Sequence, residues 1–286
     1  MRVQAADGWG LDVLRLPAGG SRRGIAVLGH AMMVDRRSMD RPPGAGLASL
    51  LASRGWEVWL ADLRGHGRSG PTPDEGGSWT YDDIIGLDLP ALVAAAKAEG
   101  GPVWVVGHSL AGHASIAAAS AGLYADPPDG HVLLAANAWV PELEPSFRLR
   151  RKKGAAIASF ALIRHLFGRF PSRRLKVGPA DEAGPYVADI VRTWRTGWRS
   201  RDGRHDYLGG MGGVRGPVLN VVGRGDRLYA HPSGASRWTA RIPGADFWLV
   251  GRGERGLPFD PDHMTLVTDE RARPLWGHIA DWMERA

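Results

Sequence analysis

In VWVVGHSLAGHAS, residues 103–115, an apolar run ends in Gly107, His108 and Ser109. A serine hydroxyl at such a strand-to-helix junction has two possible uses. It can cap the helix by accepting from a backbone N–H of the first turn. Or it can be a nucleophile on a sharp turn, where the helix N-terminus lends positive potential to an oxyanion. The second use strains the backbone and calls for small residues two positions to either side. Gly107 and Ala111 stand there and Gly112 follows, giving G-x-S-x-A, one methyl away from G-x-S-x-G. Serine is a poor nucleophile near neutral pH, so it needs a base, and the base needs an orienting acid. The chain contains no Cys, which excludes a thiolate nucleophile, a disulfide framework and a Cys-based zinc site. No ligand-spaced His or acid pair points to a metal, and the G-x-G of VVGRGDRLYA lacks the continuation of a dinucleotide loop. No cofactor is expected.

The elements that would position these groups follow from the hydrophobic pattern. Residues 24–30, 56–65, 102–107, 131–139, 216–223 and 245–251 read as buried strands. Helical patterns fall at 46–55, 80–101, 109–121, 233–242 and 270–286. Thr80 with Asp83 forms a capping box for the long helix, and Pro90 is expected to kink it. Continuous apolar strands separated by helices mean a mostly parallel, doubly wound α/β sheet covered on both faces. The segment 11–18 is a candidate antiparallel edge. Between Trp139 and Gly216 the rhythm breaks into helical periodicity (147–170 and 185–200) and then resumes, as at an insertion. This divides the chain into core 1–140, an inserted helical cap 141–213, and core 214–286.

The chain resembles the α/β-hydrolase superfamily, esterase/lipase type, over about residues 24–140 and 216–286. VVGHSLAGH matches the nucleophile elbow, and LADLRGHGRSGP (60–71) matches a D-x-R-G-x-G-x-S turn that is structural in the family. The resemblance implies the order Ser, acid, His. It places the acid just after the strand that follows the cap, at Asp226, and the base on the loop before the last helix, at His263. His231, five residues after Asp226, is the one serious rival base, and Asp260 and Asp262 are alternative acids. The oxyanion hole then takes the N–H groups of Leu110 and, because Ala31 stands where the family has glycine, Met32. The implied activity is hydrolysis of a carboxylic ester through an acyl-enzyme on Ser109. A lactonase, thioesterase, amidase or acyltransferase would use the same groups, and a non-catalytic binding member of the fold is the rival from another class.

The chain has 36 Lys+Arg against 30 Asp+Glu, a net charge of +6. Residues 141–213 hold 15 basic and 7 acidic residues, net +8, so the basicity belongs to the insertion. RLRRKK (148–153) precedes an apolar stretch, a pattern compatible with an anionic acyl substrate or weak contact with a membrane surface. No specific nucleic-acid partner is expected. The N-terminal residues lack the apolar core of a signal peptide, and no apolar run approaches about 18 residues, so a cytoplasmic location is expected.

Overall fold

The computed structural model describes residues 1–286. Its strands are β1 (Arg2–Gln4), β2 (Gly10–Leu16), β3 (Gly24–Gly29), β4 (Trp56–Ala61), β5 (Val103–His108), β6 (Gly130–Leu134), β7 (Val218–Gly223) and β8 (Asp246–Val250). Its helices are α1 (Leu47–Ser53), α2 (Tyr81–Asp83), α3 (Leu89–Ala98), α4 (Leu110–Ser120), α5 (Phe147–Phe167), α6 (Ser172–Leu175), α7 (Gly184–Thr196), α8 (Pro232–Thr239), α9 (Thr265–Thr268) and α10 (Arg273–Arg285). None is long and apolar enough to cross a membrane.

The strands form one sheet in the order β1-β2-β4-β3-β5-β6-β7-β8. β1 and β2 run antiparallel, and β3 to β8 are parallel. Every residue of β3 to β7 is buried, which is why these segments read as continuous apolar runs rather than alternating ones. Alternate side chains feed two cores on opposite faces: Ile25 and Val27 on one, Ala26 and Leu28 on the other.

The order matters for function. From β3 the chain steps to β4 on one side, then returns across β3 to place β5 on the other. Strand order reverses there, so the loops after β3 and β5 diverge and leave a crevice at the carboxyl ends of these two strands. The β3 loop carries His30 to Met33, and the β5 turn carries Ser109. Helix α4 must cross very near β3 and β5 to begin at that point. A Cβ at Gly107 would lie 2.4 Å from the Gly112 nitrogen, and one at Gly29 would lie 2.5 Å from the Ala111 Cβ. The two glycines therefore permit the crossing.

Four local readings need correction. The antiparallel edge is β1, not the 11–18 segment, which pairs on both sides; β1 is three residues long and too short to show a period. β6 stops at Leu134 because Ala135 turns into the left-handed region, φ +51°. The 80–101 helix is interrupted by a π turn over Ile84–Asp88, where the Leu89 N–H reaches back to the Ile84 carbonyl. Pro90 has no N–H to continue a regular ladder, and the wide turn opens just before it. The Thr80–Asp83 capping box forms as expected. Finally, Lys153 is not part of a solvated basic run. It is fully buried and ion-paired to the equally buried Glu144, while Arg148, Arg150, Arg151 and Lys152 remain exposed.

The crossing yields a test. Gly29→Ala should destabilise by about 1–3 kcal/mol, the usual cost of overpacking. Ala111→Gly should cost about 1 kcal/mol or less. The double variant should regain most of the loss from Gly29→Ala, because the two methyl groups no longer meet. Denaturant melts of the four proteins check this; a double variant as weak as Gly29→Ala alone would refute the contact as the cause.

Candidate active site

Ser109 sits at φ +48°, ψ −106°, a conformation that side-chain-bearing residues rarely adopt. It occupies the N-cap position of α4, yet its side chain makes no capping hydrogen bond. The ordinary structural use of a helix-start serine is therefore absent. The turn is held by backbone instead: the Ser109 N–H donates to the Leu134 carbonyl (2.8 Å) and the His113 N–H to the Ser109 carbonyl (2.9 Å). Ser69 is the contrasting case. It is fully buried, its hydroxyl donates to the Asp62 carbonyl (2.7 Å), and it accepts from the Asp12 N–H (2.7 Å). The Asp62 carboxylate accepts from the Arg36 and Arg68 N–H groups, so the 60–71 turn is a closed structural unit.

Asp226 follows β7, and His263 lies on the loop before α9. Their side chains meet, with His263 Nδ1 2.6 Å from Asp226 Oδ2. Asp226 also accepts from the Ala230 N–H (2.9 Å) and the Leu228 N–H (3.3 Å). Burial pushes its carboxyl up, but the His263 bond and charge together with these amides leave it below the usual carboxylate range. The rivals are engaged elsewhere. His231 caps α8, its Nδ1 accepting from the Ser233 N–H. Asp260 accepts from the Arg252 N–H, and Asp262 from the N–H groups of Met264 and Thr265.

His263 is held beside the elbow by His108, the residue before Ser109. The His108 Nε2 lies 2.9 Å from the His263 carbonyl oxygen, and the two rings are 5.1 Å apart. Burial, then the neighbouring His263, pushes His108 down to about 3, so it is neutral, and its Nε2–H donates to that carbonyl. Tyr229 packs on the other ring, 4.9 Å away.

The β3 loop is fixed by a histidine whose role the sequence did not disclose. His30 Nε2 accepts from the Leu63 N–H (3.0 Å), which leaves the proton on Nδ1 to donate to the Ala31 carbonyl (2.7 Å). Burial, then His66, pushes His30 down to about 3 and keeps this neutral form. Because the Ala31–Met32 peptide is planar and trans, pinning its carbonyl aims the Met32 N–H the opposite way. That N–H has no partner within the protein, whereas the next one, Met33, donates to Glu182 (2.5 Å). Glu182 was also unforeseen. It belongs to the segment between β6 and β7, is fully buried, and accepts from His66 as well (3.1 Å).

A cleft of about 630 Å³, counting its open mouth, brings Met32, Ser109 and Leu110 onto one surface. Phe160, Tyr186, Ile190, Thr193 and Trp198 from the segment between β6 and β7 line the opposite side. The lining contains no Asp, Glu, Lys or Arg.

A family model described as serine aminopeptidase, S33 matches residues 44–249. Among curated proteins, triacylglycerol lipase 2 of Arabidopsis thaliana is 29% identical over 124 residues, covering 38% of this chain and 30% of the relative. Gastric triacylglycerol lipase of Mus musculus is 30% identical over 122 residues, covering 37% and 31%. The matches thus span about a third of the length of these curated relatives. Among solved structures, a soluble variant of monoglyceride lipase from Saccharomyces cerevisiae, in complex with a substrate analogue, superposes with TM-score 0.71 at 18% identity, over 99% of this chain and 94% of that one. A thermophilic esterase from Thermogutta terrifontis gives TM-score 0.65 at 17% identity, over 100% and 98%. Those likenesses give the fold, the family match covers most of the sheet and the elbow, and the chain belongs to the serine aminopeptidase S33 family of the α/β-hydrolase superfamily.

Proposed function

We propose that this protein hydrolyses a neutral carboxylic ester through an acyl-enzyme on Ser109. The observation that carries the reading is an uncapped serine in a strained elbow whose neighbour, His108, bonds the backbone of the Asp226–His263 couple. Ser109 Oγ adds to the ester carbonyl carbon, and its proton passes to His263 Nε2, Nδ1 being engaged by Asp226. The Met32 and Leu110 N–H groups hold the oxyanion. Collapse breaks the ester bond, and the leaving alkoxide takes the proton from His263. Water then adds to the acyl-enzyme by the same proton route and releases the acid.

The cleft supports an ester over a peptide with a free N-terminus. A substrate ammonium needs a carboxylate near the reacting carbonyl, and none lines the cleft. An anionic substrate gains no support either. The basic residues around 141–213 are partly consumed by ion pairs, such as Arg169 and Arg173 with Asp74 or Arg201 with Asp189, and none lines the cleft. Residues 141–213 act in this reading as a cap that roofs Ser109 with apolar side chains.

Two expected outcomes test the reading. A fluorophosphonate should label Ser109 alone, with buried Ser69 unmodified by peptide mapping. Ser109→Ala should lower kcat by roughly 10⁵–10⁶ while its melting temperature does not fall, because no cap bond is lost; label on another serine would reject the assignment. Asp226→Asn should lower kcat by roughly 10⁴, whereas Asp260→Asn and Asp262→Asn should stay within about tenfold of the parent in steady-state kinetics, since both carboxylates serve local turns. Near-parent kcat for Asp226→Asn would remove it as the acid.

A further inference from the structure

The cleft beside Ser109 is mostly apolar, and several polar side-chain atoms of its lining residues make no hydrogen bond within the protein. Asn137 is 4% exposed and Thr193 5% exposed, and both line the cleft. The Asn137 Oδ1, the Asn137 Nδ2 and the Thr193 Oγ1 are buried and make no hydrogen bond within the protein. Leaving such atoms unpaired is costly, because each has lost its hydrogen bonds to water. A third group is supplied by a directed chain. Trp198 Nε1–H donates to the Tyr81 hydroxyl (3.1 Å), which has one proton to give and gives it to His113 Nδ1 (2.6 Å). Burial pushes Tyr81 far up and His113 down to about 3, so Tyr81 keeps its proton and His113 is neutral. The His113 proton therefore sits on Nε2, which has no partner within the protein, and His113 lines the same cleft.

These lining residues thus hold three N–H donors (two on Asn137 Nδ2 and one on His113 Nε2), one acceptor (Asn137 Oδ1), and the Thr193 hydroxyl, which can be either. With this reading of Ser109 as its basis, we propose that the preferred substrates are esters of hydroxy acids, whose acyl hydroxyl is bound by Asn137 together with His113 and Thr193. A hydroxyl both accepts and donates, matching the carboxamide. A ketone or ether only accepts and would leave Asn137 Oδ1 stranded. A carboxylate or ammonium would enter a lining without a countercharge. A plain alkyl chain would bury all of these atoms unpaired.

The test separates binding from chemistry. Ser109→Ala protein is titrated with methyl esters of six- to eight-carbon acids bearing a hydroxyl at successive positions, and with isosteres bearing methyl instead. Fluorescence of Trp139 and Trp198, which line the cleft, reports binding. At least one hydroxy ester should bind about tenfold or more tighter than its methyl isostere, because a site built to bond a hydroxyl discriminates strongly against its absence. Asn137→Leu in the same background should reverse the preference, and Thr193→Val should reduce it, so that one misfolded variant does not decide the matter. Equal or weaker binding of every hydroxy ester would overturn the proposal, leaving water as the partner of these atoms. Hydrolysis of p-nitrophenyl butyrate by the unaltered enzyme is read separately: its absence would overturn the Ser109 reading whatever the binding results show.

Discussion

The distance at which helix α4 crosses strands β3 and β5 governs the carboxyl rim of the sheet. At Gly107 and Gly112 the strand and helix backbones touch, and at Gly29 a bare Cα faces the Ala111 methyl group. Nothing larger fits. That proximity forces the chain to leave β5 and enter α4 within one residue, which drives Ser109 to positive φ. A serine so placed cannot fold back to cap its own helix, and its hydroxyl is left facing the cleft. The G-x-S-x-A spelling follows from the same geometry. The methyl of Ala111 is accommodated because the facing position on β3 is glycine, so one strand supplies the room that the elbow motif lacks.

A site assembled from separate loops also needs them held relative to one another, and here a buried ionic contact does so. Glu182 binds the Met33 N–H and His66, tying the segment between β6 and β7 to the loop after β3. Burial pushes His66 down, but the charge and hydrogen bond of Glu182, the Arg64 carbonyl and the Asp62 charge together leave it above its ordinary value. Glu144 and Lys153 pair within that same segment, and Glu144 packs so near Gly234 in α8 that a Cβ there would lie 2.6 Å from its Oε1. Buried pairs of this kind add little net stability over apolar packing, but breaking one leaves a stranded charge at a cost of about 3–5 kcal/mol. Their effect is on geometry: the Glu182 contacts fix that segment against the loop after β3 rather than leaving it on an apolar surface along which it could slide.

Some of this was legible in the residues. Strands β3, β4, β5, β7 and β8 announced themselves as continuous apolar runs, and the Thr80 capping box and the Gly55 turn obeyed local rules. The meeting of Asp226 with His263 was expected only from chain order in a resembling family; no local pattern marks it, because it is made by loops 37 residues apart. Lys153 was misread as one charge in a basic run. The periodicity did hold a signal, since Leu149, Lys153 and Ile157 lie four apart on one helical stripe and all three are buried. Reading the run by composition hid the face it belonged to. His30 and Glu182 carried no signal in sequence, since their roles depend on contacts across the fold.

Asn137 shows why a polar residue in an apolar run deserves a separate question. In LLAANAW it stands three residues past the end of β6, where a buried run would ordinarily carry another aliphatic side chain. The chain instead leaves the sheet through Ala135 in the left-handed region, and within three residues a carboxamide is buried in the cleft wall without a partner. An apolar side chain of similar volume would remove the unpaired atoms and stabilise the fold. The same substitution would turn the cleft into a smooth hydrocarbon pocket, and such a pocket distinguishes acyl chains only by size, at about 1–3 kcal/mol per methylene. Under the proposed reading, stability at position 137 and chemical discrimination at Ser109 pull in opposite directions, and the residue present is the one that would favour discrimination.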